Sequence, residues 1–334
     1  MRASAFGTAA FLAGTRTVLA AASKPIRVGF ILPNYDQIRW KSGDQPGFES
    51  EAQKLGLKTF IVASQQSETV QASQVENMLT QGVDVIVLRP VNAAAAVSLV
   101  RKCNQAGVPL IAYDSLPQKA DVACFIGRDA IKMAESIAEV AVKAQPKGNY
   151  ILALGDEGVN VAQEEKKGYY TVLKPFLDSG AIKIVSEQFN KNWSTDSSRA
   201  QVENALTKVN NDVVAVLCGN DGTAYGAIQA LQAQGLAGKV WVNGVDAEPR
   251  AMELIRDGQL SISNFTDYFQ SGIESAKAAV KLAKGETLDT GASVNNGFKD
   301  VPWIKIHFEN FAKDNLVEMA QQYPWWVDRA KLKI

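Results

Sequence analysis

Cysteine and histidine are scarce in this 334-residue chain, and their scarcity argues against two kinds of site. The three cysteines, Cys103, Cys124 and Cys218, are too few and too scattered for a disulfide framework or a metal cluster. Each lies in or beside an apolar run, so we expect each cysteine to be buried and to pack as a small hydrophobic side chain. The one histidine, His307, would have to support any catalytic triad alone. We therefore predict no metal site, no cofactor and no enzymatic activity.

Excess charge and long apolar runs are also missing. Lysine plus arginine number 35, as do aspartate plus glutamate, so the whole chain carries no electrostatic footprint for nucleic acid. After residue 23 no segment approaches the roughly 18 uninterrupted apolar residues of a membrane span. The length is that of two domains, and 46% hydrophobic residues indicate a folded chain.

Residues 1–23 have the pattern of an export signal. An early arginine and an Ala/Phe/Leu-rich stretch are followed by small residues at 20–23, where a signal peptidase could cut. Arg16 interrupts the apolar stretch, and the alternative is an apolar first helix of a cytosolic protein. Because a strand pattern starts directly at 24–26, we predict a cleaved signal peptide and a periplasmic protein.

Short apolar runs alternate with segments of helical spacing along the rest of the chain. Runs 26–32 and 83–88 are typical of strands and 68–81 of a helix, and residues 149–242 repeat the plan. Nearly all-apolar strands in βα alternation indicate parallel sheets covered on both faces. We predict an α/β fold of two doubly wound parallel-sheet lobes joined by a multi-segment hinge. The predicted lobes are residues 24–127 plus 265–296 (N-terminal) and 128–264 plus 297–330 (C-terminal).

Polar and aromatic side chains follow four of the predicted strands. They are Arg39 and Trp40, Asp114, Asn220, and Asp246. In open α/β sheets, ligands bind beyond the carboxyl ends of the strands. Carboxylates and amides accept or donate hydrogen bonds to vicinal hydroxyls, and an indole offers a flat face to a sugar ring. The pattern predicts a site for a polyhydroxylated small molecule.

Over residues 24–312 the chain resembles the type I periplasmic sugar-binding proteins of bacterial ABC importers, the ribose/galactose/xylose-binding superfamily. Its xylose-binding branch agrees best. The blocks that carry the resemblance include Gly82-Val83-Asp84-Val85, Ala112-Tyr113-Asp114, Val172-Leu173-Lys174-Pro175, Asn220-Asp221, and Asn295-Asn296-Gly297 with Lys299-Asp300-Val301-Pro302. The resemblance implies a monomer that closes on a monosaccharide or polyol and delivers it to an ABC permease in the inner membrane.

The resemblance also implies a set of ligand-binding residues. Trp40 and Trp193 would stack on the sugar from opposite lobes, and Arg39 would donate in a fork to its oxygens. The full set is Asn34, Arg39, Trp40, Asp114, Asn160, Trp193, Asn220, Asp246 and Asp267. Each has an ordinary alternative: packing for the tryptophans, a surface ion pair for Arg39, and helix capping for the aspartates.

Three departures from the xylose-binding pattern bear on the ligand. Ser115 stands where the pattern has an arginine, Asp267 where it has a lysine, and Val159-Asn160-Val161 where it has Asp-Asn-Asn. Cationic donors are then lost and an acceptor is gained. Because an unpaired buried polar group costs about 1–3 kcal/mol, we predict that the ligand is not D-xylose itself.

Two other function classes share features of this pattern. A lactose-repressor-type regulator has the same two-lobed core, but needs a DNA-binding head of about 60 residues before residue 26. A nicotinamide-dependent oxidoreductase needs a glycine-rich turn after the first strand, where this chain has Pro33-Asn34-Tyr35-Asp36. The sequence therefore favours a binding protein.

Overall fold

The computed structural model describes residues 24–333, which form two α/β lobes. The predicted signal peptide at 1–23 lies outside the described residues. Within residues 24–333, none of the helices combines the length and the apolarity that a membrane crossing requires.

The first lobe is built on a seven-stranded sheet of order β11-β12-β5-β4-β3-β1-β2. Its strands are β1 (Arg27–Leu32), β2 (Lys58–Ala63), β3 (Val85–Leu88), β4 (Leu110–Tyr113), β5 (Cys124–Gly127), β11 (Ser293–Asn295) and β12 (Asp300–Lys305). Its helices are α1 (Gln45–Lys54), α2 (Glu68–Thr80), α3 (Ala93–Gln105) and α9 (Tyr268–Ala283). The strands pair in parallel except β11, which runs antiparallel to β12. The all-apolar strands β3 and β4 are completely buried, as their sequences predict.

The second lobe is built on a six-stranded sheet of order β13-β10-β9-β8-β6-β7, parallel except for β13. Its strands are β6 (Gly148–Leu154), β7 (Ile182–Phe189), β8 (Ala215–Cys218), β9 (Trp241–Val245), β10 (Ile262–Thr266) and β13 (Phe308–Ala312). Its helices are α4 (Ala130–Ala144), α5 (Asn160–Asp178), α6 (Thr195–Lys208), α7 (Asp221–Ala233), α8 (Pro249–Arg256), α10 (Leu316–Gln322) and α11 (Arg329–Leu332). The predicted fold class is confirmed.

The chain crosses between the lobes three times, from β5 to α4, from β10 to α9, and from β12 to β13. The predicted assignment of 297–330 to the C-terminal lobe is wrong for β12, which pairs with β5 through Trp303 and Phe125. Gly297 (φ +79°), where the predicted lobe boundary falls, belongs to the turn between β11 and β12. Buried Val301 and Trp303 then pack into the first-lobe core, which holds this strand there. The second crossing also comes later than predicted, because β10 continues to Thr266.

Capping side chains begin several of the helices. Asn92 Oδ1 accepts hydrogen bonds from two backbone amides at the start of α3, and Asp129 and Ser194 each accept one at the start of α4 and α6.

The three cysteines are free and buried in the lobes, in agreement with their predicted packing role. Residues that directly follow strands of both lobes, such as Asp114 after β4 and Asp246 after β9, line a common cleft.

Candidate functional site

The cleft between the lobes is nearly filled by side chains: the space open to a water-sized molecule is about 10 Å³, far below the roughly 300–1,000 Å³ of pockets for drug-sized ligands. Most of its lining comes from loops and turns that follow strand ends. The lining residues are Gln37, Arg39, Trp40, Arg89, Asp114, Arg128, Val161, Trp193, Gly219, Asn220 and Asp246. Within the described residues, no group of three or more His, Cys, Asp or Glu side chains is arranged to hold a metal ion.

Asp114 is the centre of a buried cluster of charges. Its Oδ1 accepts hydrogen bonds from Arg39 Nη1 at 3.1 Å and Arg128 Nη1 at 2.9 Å. Its Oδ2 accepts from Arg89 Nε at 3.3 Å. Burial alone would raise the pKa of Asp114, but the charges of the three arginines outweigh burial and hold this pKa well below its usual range. Asp114 is therefore ionised whenever the protein is folded near neutral pH.

Arg39 is fixed from several sides. Its Nε and Nη2 donate a fork to the two carboxylate oxygens of Asp44 at 3.2 and 3.0 Å. Its guanidinium carbon lies 3.9 Å from the ring centroid of Trp40 and 3.5 Å from that of Tyr268. Tyr113 Oη also donates to Asp44, at 2.6 Å. Arg39 is a rigid, buried cation with two stacked aromatic neighbours, and the surface ion pair considered as its alternative is wrong.

Asp246 carries the second carboxylate of the cleft and belongs to the opposite lobe. Tyr268 Oη donates to its Oδ1, and Arg39 Nη1 lies 3.7 Å from the same oxygen. Burial raises the pKa of Asp246, against the lowering effects of Arg39 and Arg128. Asp246 is thus connected to the first lobe through a tyrosine and an arginine.

Arg128 and Glu165 form a further link between the lobes. Arg128 Nη2 donates to Glu165 Oε1 at 3.2 Å while its Nη1 holds Asp114. Glu165 is 1% exposed, and its Oε2 has no hydrogen-bond partner among the described residues. Burial raises the pKa of Glu165 to about 8 despite the nearby Arg128 charge. Near neutral pH this side chain is therefore mostly protonated.

The two predicted tryptophans reach the cleft from opposite lobes. Trp40 begins a five-residue π-helical turn, and its Nε1 donates to Gln37 Oε1 at 2.9 Å. Trp193 packs so closely on Gly155 that a Cβ there would lie 2.1 Å from its Cζ3. One side of Trp40 is covered by Arg39. That the two rings sandwich a sugar stays a prediction.

Three site residues hold backbone conformations that non-glycine residues rarely adopt. The φ angles are +61° at Asp114, +57° at Trp193 and +103° at Asp246. Such strain persists only where the surroundings over-determine it, and it clusters at ligand-binding sites. All three residues line the cleft, so the strain coincides with the candidate site.

The predicted asparagines and the third predicted aspartate have different placements. Asn220 lines the cleft and also caps α7 through Oδ1 and Thr223 N. Asn34 accepts backbone amides at 36 and 37 and so shapes the loop before Arg39, without itself lining the cleft. Asn160 begins α5 and donates to Glu164. Asp267 caps α9 by accepting from Gln270 N at 2.9 Å and is not among the residues that line the cleft, so its ligand role stays a prediction.

The cleft holds two cationic donors that the prediction of lost donors did not take into account, and the loss relative to the family pattern stays a prediction. Ser115 is buried beside Asp114 and has no side-chain hydrogen bond among the described residues, but Arg89 and Arg128 bring guanidinium groups to the same carboxylate. Both arginines follow first-lobe strands directly, β3 and β5. Their positions after strand ends are the sequence signal that marks both arginines as candidates for the cleft.

Two α/β lobes with three crossings, and a cleft lined by charged and aromatic side chains from both, define a two-lobed solute-binding protein. The chain belongs to the periplasmic binding protein family, whose periplasmic binding protein domain matches residues 28–287.

Known members of the family resemble the chain over most of its length. The D-xylose-binding periplasmic protein of Escherichia coli K12 is 37% identical, covering 86% of each chain. The protein of the same name from Haemophilus influenzae is 35% identical, covering 87% of this chain and 88% of its own. A carbohydrate transporter solute-binding protein from Chloroflexus aurantiacus, solved with D-glucose, superposes with a TM-score of 0.84 at 26% identity, covering 91% of this chain and 97% of that one.

The raised pKa of Glu165 predicts a pH-dependent stability. Below the unfolded value of 4.5 both states are protonated, whereas between 4.5 and about 8 only the unfolded state ionises, so stability falls as pH rises. Glu165→Gln removes this effect and keeps an acceptor for Arg128. Because one pKa unit corresponds to about 1.4 kcal/mol, the variant should gain at least about 1 kcal/mol over wild type between pH 5 and pH 8. Urea unfolding at both pH values measures this, and parallel pH profiles would contradict it.

Proposed function

We propose that this chain is the solute-binding protein of an ABC importer and that its cleft binds one unphosphorylated sugar or polyol of monosaccharide size. The observation that carries the proposal is the lining of the cleft, where charged and polar groups from both lobes meet beside two tryptophans, Trp40 and Trp193. The predicted export signal and the periplasmic relatives support action in the periplasm, with an inner-membrane permease as the partner.

The balance of charge favours a neutral ligand. Three arginines contact the four carboxyl groups of Asp44, Asp114, Glu165 and Asp246. Even with Glu165 protonated, three cations meet three anions, so no positive charge is left over for a phosphate. Phosphate binding also favours helix N-termini and glycine-rich turns, and the first strand lacks such a turn.

Hydrogen-bonding capacity toward a polyol remains in the cleft. Arg89 uses Nε and Nη1 within the protein, and its Nη2 has no partner among the described residues. Asp246 uses Oδ1 with Tyr268, which leaves Oδ2 for a hydroxyl donor. A ligand with several vicinal hydroxyls would accept from the arginine and donate to the carboxylate. The three guanidinium groups are donors that the prediction against D-xylose did not take into account, so D-xylose belongs in the binding screen.

A binding screen tests the proposal. The purified chain should be assayed by thermal shift and calorimetry against D-xylose, D-ribose, D-glucose, a deoxysugar, xylitol and myo-inositol, with glucose 6-phosphate and glutamate as controls. At least one neutral compound should bind with 1:1 stoichiometry, and at 100 times its Kd should stabilise the protein by about 2.7 kcal/mol. Binding of the phosphate or the amino acid alone would contradict the proposal.

A further inference from the structure

Trp326 connects the C-terminal segment of the chain to the loop that carries Asp246. Its Nε1 donates a hydrogen bond to the carbonyl oxygen of Ala247 at 2.7 Å, and the side chain is 7% exposed. The segment follows α10 of the second lobe and lies outside the range of the family match, 28–287.

The backbone that Trp326 holds is strained. Asp246 and Ala247 are consecutive residues with φ angles of +103° and +50°. Two consecutive residues keep such strained conformations only where the surrounding groups hold their backbone in place. Its amide groups are fixed within the second lobe: Asp246 N donates to Asn264 O at 2.8 Å, Ala247 N to Ser263 Oγ at 3.0 Å, and Glu248 N to Asp221 Oδ2 at 2.7 Å. The Ala247 carbonyl is the part held by the C-terminal segment.

The ring of Trp326 also contacts the first lobe. Its centroid lies 6.3 Å from that of Tyr268, in an edge-on arrangement, and a Cβ on Gly43 would lie 3.5 Å from its Cζ3. Tyr268 in turn donates to Asp246 Oδ1 and stacks on Arg39. Trp326 therefore supports Asp246 twice, through the backbone at Ala247 and through the ring of Tyr268.

We propose that Trp326 is a positioning residue for ligand binding, which sets the backbone at Asp246 and Ala247 and thereby aims the Asp246 carboxylate into the cleft. The inference rests on the proposed function, because it takes Asp246 Oδ2 as the acceptor of a ligand hydroxyl. It gives the C-terminal segment a part in binding although the segment does not line the cleft.

Amide hydrogen exchange on the unliganded protein tests the positioning step. Trp326→Phe keeps an aromatic ring and removes the donor, so the peptide spanning 245–250 should exchange at least 10-fold faster than in wild type. Trp325→Phe is the matched control, because this neighbouring indole is 38% exposed and makes no hydrogen bond to Ala247. Wild-type exchange in Trp326→Phe, or equal acceleration in both variants, would overturn the proposal.

A double-mutant cycle tests the consequence for binding. Calorimetry uses D-xylose, or myo-inositol if D-xylose does not bind the wild-type protein. Trp326→Phe should weaken binding 10-fold or more, but less than 3-fold in an Asp246→Asn background, where no carboxylate is left to aim. Equal losses in both backgrounds would overturn the positioning role. Failure of every neutral compound of the binding screen to bind wild type would count against the proposed function, while the exchange rates would still decide the positioning of Asp246.

Discussion

Asp114→Asn is expected to weaken sugar binding at least 100-fold and to lower the free energy of unfolding by about 3–5 kcal/mol, because it leaves buried arginines without their shared counter-ion. Arg39, Arg89 and Arg128 all donate to this one carboxylate. An amide of the same shape offers one acceptor oxygen and turns its nitrogen toward cationic donors. The arginines would then separate, and the walls of the cleft with them.

Asp114→Asn removes the charge of the side chain without adding backbone strain. Asp114 has φ +61°, a conformation that asparagine adopts as readily as aspartate, so the loop itself should survive. Affinity is measured by calorimetry with the best compound of the binding screen, and stability by urea unfolding. Asp178→Asn is the control, because its ion pair with Lys174 is exposed and should contribute less than about 1 kcal/mol. A folded Asp114→Asn protein that binds within 3-fold of wild type would contradict this account of the site.

The fold was predictable because the all-apolar sequences of its strands match their burial on both faces of the sheet. The all-apolar runs that became β3, β4 and β8 have to be buried on both faces, and only helices on both sides of a parallel sheet do this. The apolar pattern does not locate the last crossing between the lobes, from β12 to β13. The glycine at 297 signals a chain reversal in a hairpin as well as in a hinge, and only the pairing of β12 with β5 distinguishes the two.

The site was predictable in part, for a related reason. An aspartate or asparagine after a strand suits both a ligand and a helix N-cap. Asp267 caps a helix and is not among the residues that line the cleft, whereas Asn220 caps a helix and lines the cleft. Glu165 carried no local signal, because it lies within α5 and meets Arg128 only when the lobes come together.

Trp193 gives the second large expected effect. Trp193→Ala should weaken sugar binding by about 2–4 kcal/mol, roughly 30- to 1,000-fold, as truncation of a central aromatic anchor does. The ring lines the cleft from the second lobe, as Trp40 does from the first, and packs on Gly155. Trp193→Phe should recover part of the loss, because it restores an aromatic face at the same φ of +57°.

Gly155→Ala offers an independent test, because it moves the ring without removing it. The new Cβ would lie 2.1 Å from Trp193 Cζ3, so the indole would have to shift into the volume that a sugar would occupy. We therefore expect Gly155→Ala to weaken binding by 10-fold or more, with the loss largely absent in Trp193→Ala, where no ring can be displaced. Calorimetry on both single variants and the double variant measures this coupling. Additive losses would show that Gly155 acts on the cleft by another route, and unchanged affinity in a folded Trp193→Ala protein would remove the indole from the binding site.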